Sequence, residues 1–142
     1  MGRGGEAVQH RHRDQPGRRH PVAYDPWEHA DELGIRVEEQ TLRTTHGLYV
    51  PGRDLIILKR GVSHTVARCV LAHEIQHYLA GDRRVPSLPW AMKQERRADR
   101  AAARRLIDPN ALFDLQQASD DPGVWAYELQ VTGDILLAYL TA

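Results

Sequence analysis

Cysteine is almost absent from this 142-residue chain. Cys69 is the single cysteine, so no internal disulfide can form and the sequence does not require an oxidising compartment. Net charge is also absent, because 19 basic residues balance 19 acidic ones, which excludes a whole-chain basic field for nucleic acid. Long apolar runs are missing too, since stretches such as residues 54–59 are far too short to cross a bilayer. Residues 1–20 contain no apolar stretch typical of signal peptides, so we expect a cytoplasmic protein with no membrane segment.

The composition supports one folded domain with charged flanks. Hydrophobic residues make up 42% of the chain and charged residues 27%, as in ordinary folded proteins. Residues 1–23 are predicted to be a disordered basic arm, because they are rich in Arg and Gly. Residues 83–105 carry eight basic residues against two carboxylates, whereas residues 110–142 carry five carboxylates and no Lys or Arg. We therefore expect a folded domain over residues 24–109, with an acidic helical tail over residues 110–142 that packs on it.

Local signals predict several helices and a small sheet, which together make an α+β fold. Asp25-Pro26 is typical of a helix start and Gly34 of a helix end. Ser63 can cap a long helix that ends before Gly81. The segment 51–53 is typical of a hairpin turn. The predicted elements are a helix over 26–33, a strand over 35–38, hairpin strands over 47–50 and 54–58, helices over 64–80, 89–107 and 110–118, and two short helices that begin near Pro122 and Thr132.

The chemistry of the chain is concentrated in the segment His73-Glu-Ile-Gln-His77. Residues four apart on a helix share one face, so two imidazole nitrogens can converge on one cation. Zinc accepts such nitrogens at about 2.0–2.1 Å. Glu74 lies on the neighbouring flank of the helix, close enough to act on a metal-bound water without binding the metal. The alternative is a helix with two histidines that are merely solvated or packed in the core.

The next helix offers a third ligand. A catalytic zinc ion has three protein ligands and one open position. Glu95 follows His77 by eighteen residues, which leaves room for the chain to reverse, and is the candidate ligand. Asp99 lies one turn further on the same face and could accept the second N–H of a ligating histidine. The alternative is an exposed helix on which Glu95 and Asp99 pair with neighbouring arginines.

Three segments together resemble the ImmA/IrrE metallopeptidase family. These are His73-Glu-Ile-Gln-His77, then Glu95-Arg-Arg-Ala-Asp-Arg-Ala-Ala102, and Leu106-Ile-Asp-Pro109. The resemblance implies a small zincin-like domain over residues 24–109 with a short mixed β-sheet. It also implies that His73, His77 and Glu95 bind zinc and that Glu74 is the catalytic base. Manganese is an alternative metal, because the order of intrinsic affinities does not by itself decide occupancy.

The resemblance also implies a substrate. Known members of the family are intracellular proteins of bacteria, phages and mobile elements, and several of them cleave helix-turn-helix repressors. The implied activity is therefore metal-assisted hydrolysis of a peptide bond in a protein, with a helix-turn-helix repressor of a phage or mobile element as the partner. The sequence does not identify the group that stabilises the oxyanion; Tyr49, Tyr78 and His46 are candidates, and each also fits a purely structural role.

Two other functions remain open from the sequence alone. The spacing of apolar residues over 126–140 resembles a helix-turn-helix, which would make the chain a DNA-binding regulator. That segment contains no Lys or Arg, and phosphate contacts normally dominate affinity for DNA, so direct binding of nucleic acid is not expected. The other alternative is a metal-binding interaction protein without proteolytic activity, which the sequence cannot distinguish from an enzyme.

Overall fold

The computed structural model describes residues 24–142 and contains six helices and a three-stranded sheet, on which the first two helices pack. The α+β prediction is confirmed, and the predicted basic arm over residues 1–23 lies outside the described residues. The elements are α1 (Pro26–Glu32), β1 (Arg36–Gln40), β2 (Gly47–Val50), β3 (Leu55–Lys59), α2 (His64–Ala80), α3 (Leu88–Leu106), α4 (Pro109–Ala118), α5 (Pro122–Leu129) and α6 (Gly133–Leu140). Within residues 24–142, no helix is both long enough and apolar enough to span a membrane.

The ends of α2 follow the local sequence signals. The Ser63 side chain accepts a hydrogen bond from the first turn of the helix, from the Val66 N–H. Gly81 ends the helix in the left-handed conformation, with φ of 66°. Strand β3 begins one residue later than predicted, at Leu55. The reason is that Asp54 itself adopts a positive φ of 47°, which closes the turn and interrupts extended backbone.

The sheet is mixed, as predicted, and its strand order is β1-β3-β2. β3 lies in the centre, pairs parallel with β1 and pairs antiparallel with β2. The central strand is the most apolar of the three, with Leu55, Ile56 and Leu58 buried. β2 is consequently an edge strand, and it packs beside α2. Among residues 24–142 no further strand pairs with β2, so this arrangement brings an edge of the sheet next to the helix that carries the two histidines.

Helix α2 lies between two apolar clusters. One side packs on the sheet through Leu71 and Ile75, which are fully buried. The other side packs on α3, whose small residues Ala102 and Ala103 allow close approach of the two helices. The cluster between α2 and α3 also contains residues of α6 and of the loop before it: Val131, Ile135 and Leu136. Residues of the acidic tail therefore share a core with α2 and α3; the boundary at residue 110 stays a prediction.

Candidate metal centre

Two histidines of α2 face each other through the Nε2 atoms of their rings. His73 and His77 lie one helical turn apart, and their Nε2 atoms are 3.0 Å apart. Their rings are nearly perpendicular, with an interplanar angle of 79° and centroids 4.7 Å apart. Both side chains are largely buried, at 14% and 11% relative exposure. The sequence prediction that these two imidazoles converge on one point agrees with this geometry.

The carboxylate of Glu95 on α3 is the third group that approaches the two Nε2 atoms. Its Oε2 lies 3.0 Å from Nε2 of His73, and its Oε1 lies 2.9 Å from Nε2 of His77. The Glu95 side chain is 60% exposed, so the point where the three groups meet opens toward solvent. The structure thus brings together the three residues predicted from sequence to bind a metal, and leaves one side accessible to solvent.

The Nδ1 atom of each histidine contacts the carboxylate of an aspartate. Nδ1 of His73 lies 2.7 Å from Oδ1 of Asp99, the contact that the sequence predicted for a carboxylate one turn after Glu95. Nδ1 of His77 lies 2.8 Å from Oδ2 of Asp82, which the sequence interpretation missed. Asp82 directly follows the glycine that ends α2. A carboxylate just beyond the helix end was the signal available for finding it.

The donor set fits a divalent cation. A carboxylate at each Nδ1 places an N–H of both rings there, so each Nε2 carries the lone pair when the ring is neutral. With both rings neutral, these two lone pairs and the carboxylate of Glu95 are three acceptors that face one another without a donor, an arrangement that a cation would complete. Ligands of a tetrahedral zinc ion at about 2.0–2.1 Å lie roughly 3.3 Å from one another. The three separations of 2.9–3.0 Å are close to that value.

Protons compete with a metal ion for the Nε2 atoms of the two histidines. Burial lowers the pKa of His73, but the hydrogen bonds to Asp99 and Glu95 outweigh burial and raise that pKa to about 10. Burial also lowers the pKa of His77, and its bonds to Glu95 and Asp82 again produce a net rise. The hydrogen bonds from both histidines hold the pKa of Glu95 far below its usual range. A metal must therefore displace protons when it binds here.

Glu74 lies beside this point but is held from a different direction. One carboxylate oxygen of Glu74, Oε2, accepts a hydrogen bond of 3.0 Å from the backbone N–H of Tyr49 in β2. Burial raises the pKa of Glu74, although the nearby His73 and His77 and the bond from Tyr49 act in the opposite direction. A carboxylate with a raised pKa is better suited to take up and release a proton near neutral pH.

Two carboxylates could serve as the third ligand, and the contacts favour Glu95. Ligand atoms of His73, Glu74 and His77 all lie within 4.8 Å of one another, so Glu74 is near enough to reach a metal ion. Glu95, however, contacts both Nε2 atoms at 3.0 Å or less, whereas Glu74 is engaged by the edge strand. The division between Glu95 as a ligand and Glu74 as a base stays a prediction from the sequence.

The approach of β2 to Glu74 depends on a glycine. Gly47 begins β2 and is buried against α2. A Cβ at this position would lie 2.3 Å from Cγ1 of Val70 and 3.5 Å from Cγ of Glu74. Any larger residue would therefore force the strand and the helix apart. The sequence showed Gly47 only as the start of a hairpin strand, because the contact with α2 joins residues far apart along the chain.

The other candidate side chains on α2 and β2 pack in the interior. Cys69 is buried in the cluster between α2 and α3, and its sulfur accepts the N–H of Thr132 at 3.4 Å. Burial raises the pKa of the Cys69 thiol, so this group is not poised as a thiolate ligand. The rings of Tyr49 and Tyr78 pack edge to face with centroids 5.7 Å apart, and both are partly buried against the cluster between α2 and the sheet.

Comparison with known proteins identifies the family. No curated protein matches the chain. The family model described as the IrrE N-terminal-like domain matches residues 30–138, which include all three strands, α2, α3 and nearly all of the tail. The predicted relationship to the ImmA/IrrE proteins is thereby confirmed. The chain belongs to the IrrE N-terminal-like domain family of metallopeptidases, with a His-Glu-His group on α2 that could bind a metal.

Proposed function

We propose that the protein is a zinc-dependent endopeptidase that hydrolyses a peptide bond in a protein substrate. The observation that carries this proposal is the convergence of His73, His77 and Glu95 on one solvent-facing point, with Glu74 beside it. The two nitrogens and one carboxylate match the set of three protein ligands that catalytic zinc sites use. Manganese remains the alternative metal, since the carboxylate ligand also suits it.

The residues around this point divide the work of hydrolysis. When bound, zinc supplies polarisation of the scissile carbonyl and of the attacking water. Glu74 takes one proton from that water as the oxygen attacks the carbonyl carbon. It then delivers the proton to the amide nitrogen as the C–N bond breaks, so that a carboxylic acid, which keeps the second proton of the water, and a free amine result. The hydrogen bond from Tyr49 keeps the carboxylate of Glu74 in place for both transfers.

The edge strand offers a means of binding an extended substrate. Within residues 24–142, β2 pairs with no strand other than β3, so its other edge can accept a further strand except at Tyr49, whose N–H donates to Glu74. An extended peptide that adds to this edge would run alongside α2 and bring its backbone close to Glu74. A protein segment, rather than a small molecule, is the ligand that such an edge recognises.

The substrate that we propose is a helix-turn-helix repressor of a phage or mobile element, cleaved in the cytoplasm. This proposal is supported by the resemblance to repressor-cleaving members of the family. The tail itself is not proposed to read DNA. Its last helix buries Ile135 and Leu136, and residues 110–142 supply no cation for phosphate contacts.

The substitution Glu74→Gln tests the proposed function, because it keeps the size of the side chain and removes its basicity. Zinc-loaded protein is added to a lysate of cells that naturally contain it, and new amino termini are labelled and identified by mass spectrometry. We expect the wild type to produce new termini within a repressor, and Glu74→Gln to reduce their rate of appearance by about 10²–10⁴-fold. Glu39→Gln, an exposed strand residue, is the matched control and should behave as wild type.

Two results would contradict this proposal. Equal cleavage by wild type and Glu74→Gln would exclude Glu74 as the base. Zinc-loaded wild type that produces no new termini in that lysate would favour the metal-binding interaction protein without proteolytic activity.

A further inference from the structure

An acidic side chain just beyond the end of α2 reaches back to the second histidine. Oδ2 of Asp82 lies 2.8 Å from Nδ1 of His77. The Asp82 side chain is only 10% exposed, although it belongs to the connection that follows the helix. This contact is the counterpart of the one between Asp99 and His73, and the two together give each histidine its own carboxylate.

The way in which α2 ends places Asp82 at this position. Gly81 adopts a φ of 66°, a left-handed conformation that glycine adopts without strain, and its N–H bonds to the carbonyl of Tyr78 at 3.1 Å. The next N–H, that of Asp82, bonds to the carbonyl of His77 at 3.0 Å. Both the backbone and the side chain of Asp82 therefore contact His77, so the helix stop also fixes the imidazole ring.

Arg97 of α3 holds the aspartate from the other side. The Arg97 guanidinium forms an ion pair with Oδ2 of Asp82, the same oxygen that contacts His77. Arg97 lies two residues after Glu95 on α3. One short stretch of α3 thus contacts His77 twice, directly through Glu95 and indirectly through Arg97 and Asp82. Other arginines on this helix, such as Arg96, are exposed and have no ion pair with the described residues.

We propose that Asp82, held by Arg97, is a positioning residue for the metal centre. It keeps the N–H of His77 on Nδ1 and fixes the ring, so that Nε2 presents its lone pair to the metal. A carboxylate in this role also increases the basicity of the ligating nitrogen. This assignment rests on the metal centre of the proposed function. The competing explanation is that Asp82 only stabilises the helix end through its backbone bond and its ion pair.

Zinc affinity separates these explanations. The dissociation constant for zinc is measured by competition with a chromophoric chelator for the full chain and four variants. For Asp82→Ala we expect zinc affinity to fall by about 10–100-fold, the usual effect of removing such a partner. Asp82→Asn should lose less, because its amide oxygen can still accept the N–H of His77. Arg97→Gln should lie between wild type and Asp82→Ala, and the control Arg96→Gln should match wild type.

Two further measurements make the outcome decisive. Thermal unfolding of the chelator-treated proteins reports the stability of the fold without zinc. Nitrogen-15 spectra of the zinc-loaded proteins report whether His77 carries its proton on Nδ1, as we expect for wild type. If Asp82→Ala fails to fold, Asp82→Asn and Arg97→Gln provide the same comparison.

Zinc affinities within twofold of wild type in these folded variants, with a lower unfolding temperature alone, would overturn the proposal. They would leave Asp82 with a structural role only. Wild type that binds no zinc would instead refute the proposed metal centre, and with it any positioning of His77 for a metal. The two failures are therefore distinguishable.

Discussion

Replacing Gly47 by alanine should damage both the fold and the site, because β2 and α2 touch at this residue. The added methyl group would lie 2.3 Å from Cγ1 of Val70, far inside ordinary van der Waals contact. It would also lie 3.4 Å from the carbonyl oxygen of Ile57, on the neighbouring strand, so the strand cannot shift freely to the other side. The smallest relief is a displacement of β2 away from α2, which lengthens the bond between Tyr49 and Glu74.

The expected loss of stability follows from these contacts. Overpacking a well-packed interior costs about 1–3 kcal/mol. The lower entropy of the unfolded chain with alanine offsets roughly 0.4–1 kcal/mol of this cost, so the central values of about 2 and about 0.7 kcal/mol leave a net loss of about 1.3 kcal/mol. Peptidase activity should fall further than this loss explains, because Glu74 loses its backbone partner while the protein remains folded.

Urea denaturation of four proteins measures this effect: wild type, Gly47→Ala, Val70→Ala and the double variant. Val70→Ala removes the clashing methyl groups, so the double variant should be more stable than the sum of the single effects predicts. We expect a coupling free energy of about 1 kcal/mol or more, as for other residues in direct contact. Gly47→Ala with wild-type stability, or strictly additive effects in the double variant, would show that the close approach does not constrain this site.

Four other outcomes follow from the same structure. Glu95→Ala should abolish tight zinc binding in metal analysis of purified protein, whereas unchanged zinc content would exclude Glu95 as a ligand. Because the pKa of His73 is raised to about 10, zinc uptake near pH 8 should release at least one proton. Calorimetry in buffers of different ionisation enthalpy measures this release. Zinc uptake without proton release would contradict the prediction. The pKa of His73 is about 6.5 in the unfolded chain and about 10 in the folded protein, so protonation of His73 stabilises the folded state. In chelator-treated protein this stabilisation should be complete below pH ~6.5 and lost as the pH rises through 10. Thermal unfolding at several pH values checks this. Arg68→Met should destabilise the fold by about 1.5–3 kcal/mol, because the buried guanidinium of Arg68 donates hydrogen bonds to the carbonyl oxygens of three residues: Tyr24, Leu106 and Gln130. An unchanged midpoint of urea denaturation would refute this.

The parts of the structure that could be predicted from the sequence depend on neighbouring residues. Ser63 and Gly81 define the ends of α2 through bonds within one helical turn. The spacing of His73 and His77 places both on one face for the same reason, since helical geometry repeats every few residues. Glu95 required a second inference, that the chain reverses between two helices, and this also agrees with the structure.

The parts that the sequence did not predict depend on residues distant in the chain or on an unusual backbone conformation. The apolar run of β3 is typical of a central strand, but nothing local indicates that β3 pairs with β1. The bond from Tyr49 to Glu74 joins residues 25 apart and needs the missing side chain of Gly47. Asp82 reaches His77 only because Gly81 turns the chain back through the left-handed conformation.

A crystal structure of the zinc-loaded protein, with anomalous data at the zinc absorption edge, tests the central claim most directly. The account predicts one anomalous peak between α2 and α3, at about 2.0–2.1 Å from Nε2 of His73, Nε2 of His77 and an oxygen of Glu95. Glu74 should lie beside the ion without ligating it. Ligation by Glu74 in place of Glu95, or the absence of a peak between these helices, would contradict the account.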